Sequence, residues 1–163
     1  MTTGSASEEL IEVRIVAMPL DVYKASSEHF DELKREFALI RESETSSIPD
    51  KLLRVIDQVT SRYSGFSSTP NRIRDEALER GDATVDLVYQ LPPSVKHACI
   101  DLERLLDEAD EFCRSGGHLL TLAAPKETVE FRSWFLGEFV RQINGEEAVS
   151  WPEYRSVAGR PTD

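Results

Sequence analysis

The sequence predicts an α/β fold, because a short apolar run three times reaches a proline and is then followed by a long amphipathic segment. The runs end at Pro19, at Pro92-Pro93 and at Pro125. In the first two runs apolar and polar residues alternate, which is typical of a sheet with one face in water. We therefore predict a two-layer sandwich of amphipathic helices on a small sheet of about three strands, in the order β-α-α-α-β-α-β-α.

The three apolar runs are the predicted strands. The first covers roughly Leu10 to Met18, the second roughly Thr84 to Leu91, and the third His118 to Ala123. The third run is more uniformly apolar than the others, which favours the central position in the sheet.

Apolar residues three or four positions apart predict the helices. This spacing extends over Asp21 to Ile40, Ser94 to Cys113, and Lys126 to Ile143. Between the first two strands, Pro49 and Pro70 each suit a first helical position and predict two further helices.

The chain length of 163 residues suits one domain. Residues 1–9 are expected to be a disordered lead-in, residues 10–154 a single α/β domain, and residues 155–163 a disordered tail. The first residues lack both the basic start and the apolar core of a signal peptide.

The net charge of −11 argues against nucleic acid and against anionic membranes as partners. No apolar run approaches the ~20 residues that a membrane-spanning helix needs.

Cys99 and Cys113 fall on one predicted helix, about 21 Å apart along its axis, so they cannot form a disulfide with each other. We expect two reduced thiols and a cytoplasmic protein.

Chemical motifs are sparse. The three histidines lie in different predicted elements, and neither His-x-x-x-His nor Cys-x-x-Cys occurs, so we expect no metal site. The sequence contains no Gly-x-Gly, no Gly-Lys-Ser/Thr and no Gly-x-Ser-x-Gly, which argues against dinucleotide, P-loop and serine-nucleophile chemistry. We assign no catalytic residue and no cofactor.

The acidic residues at 107, 108, 110 and 111 are interpreted as a solvated helix face.

The last long helix carries more aromatic residues than one buried stripe requires. Either this helix packs centrally between two layers, or part of it meets a partner chain, because Trp and Phe are common interface anchors. The candidate partner-binding residues are Phe131, Arg132, Trp134, Phe135, Phe139 and Arg141.

Two other functions remain open at this point. A small-molecule-binding domain or enzyme would have its pocket at the carboxyl ends of the strands, near Met18, Leu91 and Ala124. Its candidate polar residues are Asp21, Tyr23, Tyr89 and Ser94. Alternatively, the aromatic helix could form a homodimer. The segment Ser64 to Thr69 is predicted to be an exposed loop in which phosphorylation is possible.

Several whole segments resemble an uncharacterised family of actinobacterial proteins. They run from Glu12 to Ile15, from Met18 to Tyr23, from His29 to Ile40, from Leu105 to Cys113 and from Phe131 to Ile143. The resemblance implies an association with anti-sigma-type ATP-binding proteins and their anti-anti-sigma antagonists.

Residues Leu122 to Arg132 are also similar to the start of anti-sigma serine kinases of the histidine-kinase-like ATPase fold. That family needs an Asp-x-Gly-x-Gly loop for ATP, which this sequence lacks, so kinase activity is not expected. The first hypothesis is therefore a non-catalytic regulatory or adaptor domain that binds a protein, in a partner-switching sigma-factor circuit.

Overall fold

The computed structural model describes residues 9–40, 48–115 and 124–158. Within these ranges the chain is mostly helical. Its elements are, in order, β1 (Ile11–Pro19), α1 (Leu20–Ile40), α2 (Ile48–Tyr63), a short 3-10 helix (Ser64–Phe66), α3 (Ser68–Arg80), β2 (Thr84–Leu91), α4 (Val95–Ser115), α5 (Lys126–Ile143) and α6 (Trp151–Ala158).

The predicted sandwich around about three strands is wrong, since the described residues form six α-helices and a two-stranded antiparallel sheet. The run predicted as the third strand, His118 to Ala123, lies outside the described residues. At the edge of β1 away from β2, a side chain of α5 pairs with the backbone. The N–H of Arg14 donates to Gln142 Oε1 at 2.8 Å, and Gln142 Nε2 donates to the carbonyl of Arg14 at 2.7 Å. Gln142 therefore occupies backbone groups that another strand would need.

The sheet has one buried and one exposed face, as the alternation predicts. Val13 and Ile15 of β1 and Leu87 of β2 are buried, whereas their polar neighbours are exposed. The regular pairing breaks between Ile15 and Met18, where Ala17 has a left-handed φ of 55°. The N–H of Ala17 instead donates to Asp86 Oδ1 at 2.7 Å, so the carboxylate satisfies a donor that the bulge removes from the ladder.

The long helices follow the predicted apolar spacing and surround the sheet. Helix α5 packs against β1, α1 and α4, and it therefore lies in the centre of the domain. Helix α2 packs against α1 and α4, α3 packs against β2, and α6 packs against β1. One core cluster includes buried residues from β1, β2 and helices α1 to α5.

Two connecting segments differ from expectation. The predicted loop from Ser64 to Thr69 forms the 3-10 helix and the beginning of α3. Residues 155–158, the first part of the predicted disordered tail, are helical and complete α6. Arg155 holds this helix in place, because its guanidinium pairs with Glu130 of α5 and lies over the ring of Trp151.

Candidate functional site

A pocket of about 620 Å³ lies between β2 and helices α1 to α5. Its volume is within the ~300–1,000 Å³ that is usual for small-molecule sites. The walls are mainly apolar and include Leu91, Val95, Leu102, Leu136 and Phe139. The pocket forms where α4 and α5 diverge from the segment that joins α2 to α3.

Polar groups of α3 and of the segment before it border the same pocket. Arg74 lies over the ring of Tyr23, 4.8 Å from its centroid, and donates through Nη1 to Asn71 Oδ1 at 3.0 Å. Its Nε and Nη2 also donate to Asp75 Oδ1, at 3.2 and 3.1 Å, but the Asp75 side chain is 62% exposed, whereas that of Arg74 is 19% exposed. Water screens such a pair, so the guanidinium keeps much of its attraction for an anion. Ser64, Ser67 and Ser68 complete the polar side of the pocket.

Two ionisable groups inside the pocket are held in their neutral forms. Burial raises the pKa of Tyr89 to about 12, although the charge of Arg74 acts in the opposite direction. Burial also raises the pKa of the Cys99 thiol to about 12, and Glu103 adds to the effect. At neutral pH neither group is a nucleophile or a base, because both act in those roles only when deprotonated.

The structure brings together two of the four residues predicted for a ligand pocket. Tyr23 and Tyr89 both line it. Ser94 shares a hydrogen bond of 3.0 Å with the hydroxyl of Tyr63, and the Tyr63 ring lines the pocket. Asp21 is exposed at the start of α1, where its Oδ1 accepts from the N–H of Val22 at 2.9 Å. Arg74 was not among the predicted pocket residues, because α3 is only weakly apolar. Ser64, Ser67 and Ser68 were predicted only as part of an exposed loop.

The aromatic residues predicted to bind a partner are part of the domain's own core. Phe131, Trp134 and Phe139 are buried, and Trp134 is only 2% exposed. Trp134 Nε1 donates to the carbonyl of Val149 at 2.9 Å, and its ring packs edge-on against Trp151. The prediction of a docking face on these residues is corrected accordingly, because a partner cannot reach buried rings. Of the two interpretations of α5, the central packing describes it.

Phe135 and the two arginines of the predicted set have different surroundings. Phe135 is half-buried and lines the pocket. Arg132 is buried, and its Nη2 donates to Asp107 Oδ1 at 2.7 Å and to Asp110 Oδ2 at 2.6 Å. Arg141 pairs with the fully buried carboxylate of Glu138. The arginines therefore serve intramolecular ion pairs rather than a surface patch.

Asp110 and Glu138 are structural residues that the sequence analysis missed. Asp110 was assigned to a solvated face, yet it is buried, and its Oδ1 accepts from the N–H of Ala124 at 3.1 Å. Glu138 accepts from Gln142 Nε2 at 2.8 Å and from the N–H of Val149. The sequence did contain an indication that Glu138 lies among buried residues and pairs with an arginine. Position 138 is one helical turn after Trp134 and three residues before Arg141.

The described residues form a mostly helical domain with a mainly apolar pocket that has one arginine, Arg74, among its lining residues. Comparison with protein-family models, with curated proteins and with solved structures finds no match for this chain. In the three described ranges there is no helix long and apolar enough to cross a membrane. Function is therefore inferred from the chemistry of the pocket residues.

Proposed function

We propose that this protein is a non-catalytic domain that binds a small amphipathic anion in the 620 Å³ pocket. The observation that carries the proposal is the combination of apolar walls with one guanidinium, that of Arg74, at the polar side. An apolar body buried between α4 and α5 would supply most of the binding free energy. A carboxylate beside Arg74 would fix the orientation.

The state of the pocket's ionisable groups favours binding over catalysis. The ordinary pKa values of Tyr89 and Cys99 already lie above neutral pH, and burial raises both pKa values further, to about 12, so the surroundings activate neither group. A buried neutral hydroxyl and thiol can contact a ligand without reacting with it. This function is the small-molecule-binding alternative that the sequence left open, in which Tyr23 and Tyr89 were candidate polar residues of the pocket.

Calorimetric titration with decanoate and with decanol tests the proposal, because the two probes share a chain and differ in charge. We expect decanoate to bind more tightly than decanol. Arg74→Gln should weaken decanoate at least about tenfold, since a hydrogen bond to a charged group is worth about 1.5–3 kcal/mol. The same change should leave decanol almost unaffected.

Arg72→Gln is the matched control, because Arg72 lies on the same helix but its side chain is 64% exposed and pairs with Glu76. It should leave the affinity for both probes unchanged. If neither probe binds, or if Arg72→Gln and Arg74→Gln weaken decanoate equally, the pocket is not the anion site that we propose.

A regulatory role through protein binding is a second proposal, supported by the exposed acidic side chains of α4, which include Glu108 and Glu111. Such a surface would favour a basic partner and would increase the association rate at low salt. The role would place the protein in the cytoplasm, as a partner of an anti-sigma-type ATP-binding protein or as a homodimer.

The test is binding to a purified protein of that type. We expect the unmodified chain to bind and the double variant Glu108→Lys, Glu111→Lys to lose binding. Light scattering distinguishes self-association, and no binding by the unmodified chain would count against the role.

A further inference from the structure

A second, smaller cavity of about 250 Å³ lies between α1, α4 and α5. Tyr23, Leu102, Phe135 and Leu136 line both this cavity and the larger pocket, so the two are neighbours. Hydroxyl groups of Ser26, Ser27 and Thr128 belong to its lining residues. Two nitrogen-bearing side chains also line it, those of His29 of α1 and Arg132 of α5. Most of the cavity surface is apolar.

Each of these two polar side chains has one buried nitrogen without a partner. In the part of the chain that the structure describes, His29 Nε2 and Arg132 Nε form no hydrogen bond. Arg132 is only 9% exposed, so bulk water does not replace the missing partner. Unsatisfied buried donors are rare in folded proteins because they lose their hydration without compensation. Both residues line the small cavity. Arg132 Nε itself has almost no accessible surface, so a small movement of the side chain would bring it to an acceptor on a molecule in the cavity. His29 Nε2 donates or accepts according to its tautomer.

The charges around Arg132 define which acceptor fits. Its guanidinium already donates to two carboxylates, those of Asp107 and Asp110. Water screens the Asp107 carboxylate, which is 62% exposed, but Asp110 is buried. An anionic ligand would approach the Asp110 charge, and its own charge would be desolvated in an apolar cavity. A neutral oxygen, such as a ketone carbonyl, accepts from Nε–H without that repulsion.

We propose that this cavity is a second binding site, for a neutral and mainly apolar small molecule with one oxygen acceptor that bonds to Arg132 Nε. The cavity is larger than the ~150 Å³ cavity known to admit benzene, so a substituted aromatic ring fits. This site takes a neutral ligand, whereas the larger pocket takes an anion. Binding here is independent of Arg74.

The test uses three probes of similar shape, namely acetophenone, cumene and benzoate, titrated into the full chain and followed by NMR. Acetophenone should bind at least about tenfold more tightly than cumene, which lacks the acceptor, and more tightly than benzoate. The Nε–H signal of Arg132 should shift with acetophenone and not with cumene. This signal reports directly on the proposed hydrogen bond.

One substitution and two kinds of probe separate this site from the larger pocket. Arg132→Lys keeps a positive charge beside Asp107 and Asp110 but removes Nε–H, so the preference for acetophenone over cumene should disappear. Because Arg132 does not line the larger pocket, the same variant should bind decanoate as the unmodified protein does, which distinguishes failure at one pocket from failure at the other. Arg72→Gln, at a side chain that lines neither cavity, should leave acetophenone binding unchanged. If Arg132→Lys does not fold, the Nε–H signal of the unmodified protein decides alone.

Equal affinity for acetophenone and cumene, with no shift of the Nε–H signal, would overturn the proposal and leave only a hydrophobic void. Absence of binding by all three probes, with the Arg132 Nε–H in contact with water alone, would also overturn it. In that case the cavity is a hydration site.

Discussion

The two sides of α5 differ in how completely they are packed and hydrogen-bonded. Towards β1 and α6, Glu138 accepts from Arg141, Gln142 and the Val149 N–H. On the same side Trp134 donates to the Val149 carbonyl. Towards α1 and α4 lie two cavities, and Arg132 Nε and His29 Nε2 have no partner among the described residues. We call the side towards β1 and α6 the closed side and the side towards α1 and α4 the open side. The closed side stabilises the fold, and the open side borders both proposed ligand sites.

This difference shows how one helix can serve both stability and binding. A ligand site needs incompletely packed surface, and the free energy lost there must be offset elsewhere in the domain. The closed side of α5 offsets it by burying large aromatic rings and by satisfying its polar groups. Substitutions on the two sides should therefore differ in kind, with those on the closed side affecting stability and those on the open side affecting affinity.

The largest expected effect is that of Trp134→Ala, which should lower the free energy of unfolding by about 3–5 kcal/mol. The change removes a ring that is 2% exposed, along with its hydrogen bond to Val149. Phe135→Ala should cost about 2 kcal/mol or less, because Phe135 is half-buried and already borders both cavities. Urea denaturation followed by circular dichroism measures both values.

Equal losses in the two variants would mean that the open side is as tightly packed as the closed side, which would remove the distinction. If Trp134→Ala were folded and as stable as the unmodified protein, the Trp134 ring would have to lie at the surface. The docking face first predicted from the sequence would then be open again.

Glu138→Ala should cost about 3 kcal/mol, because it leaves buried donors without their acceptor. Arg141 adds little to this loss, because its side chain is 33% exposed and can hydrogen-bond to water once the carboxylate is gone. Val149 N–H and Gln142 Nε2 lose the carboxylate, and Gln142 also holds the edge of β1. Glu147→Ala is the control, since Glu147 is exposed, and it should change stability by less than about 0.5 kcal/mol. A loss of that same small size in Glu138→Ala would show that the carboxylate network adds little to the closed side.

The sequence predicted the closed side better than the open one. Apolar spacing predicted α5 over Lys126 to Ile143, the bounds that the structure shows. Alternation in β1 and β2 predicted the buried face of the sheet. These patterns show which face of a helix or strand is apolar. They do not show which charged residues are buried when the elements pack together. Asp110 was therefore missed, because its burial depends on Arg132 from another helix.

The pocket was harder to predict for a related reason. Tyr23 and Tyr89 were assigned to a pocket at the carboxyl ends of three strands, but the two described strands are antiparallel, so their carboxyl ends lie at opposite ends of the sheet. Both tyrosines line the larger pocket, in a different setting from the one expected. Arg74 was not, because its position over Tyr23 depends on how α3 packs against β2. The prediction of a third strand also failed here, because an apolar run alone does not specify a pairing edge, and the edge of β1 at Arg14 is taken by Gln142.

The smallest expected effect concerns alkaline stability on the open side. Burial raises the pKa of Cys99 from 9.0 to about 12, so the unfolded chain loses this proton first. The contribution of the buried thiol is fully present below pH 9 and is lost as pH rises from about 9 to about 12. Urea denaturation at pH 8.5 and at pH 10.5 should show a fall in the free energy of unfolding. Cys99→Ala should reduce that fall by about 2 kcal/mol, because pH 10.5 lies above the unfolded pKa and below the folded one.

Cys113→Ala is the matched comparison, because its thiol lies on the same helix with a pKa of about 11, again raised mainly by burial. Between pH 8.5 and pH 10.5 it should reduce the alkaline fall about as much as Cys99→Ala does, because pH 10.5 lies below both folded pKa values. At about pH 11.5 the two variants should differ, because only the Cys99 thiol then keeps most of its protons in the folded protein. A ligand that fills the larger pocket would bury Cys99 further and should extend the loss of stability to higher pH. If Cys99→Ala has the same pH dependence as the unmodified chain, water already reaches the thiol through the pocket, and the pocket is more hydrated than its apolar walls indicate.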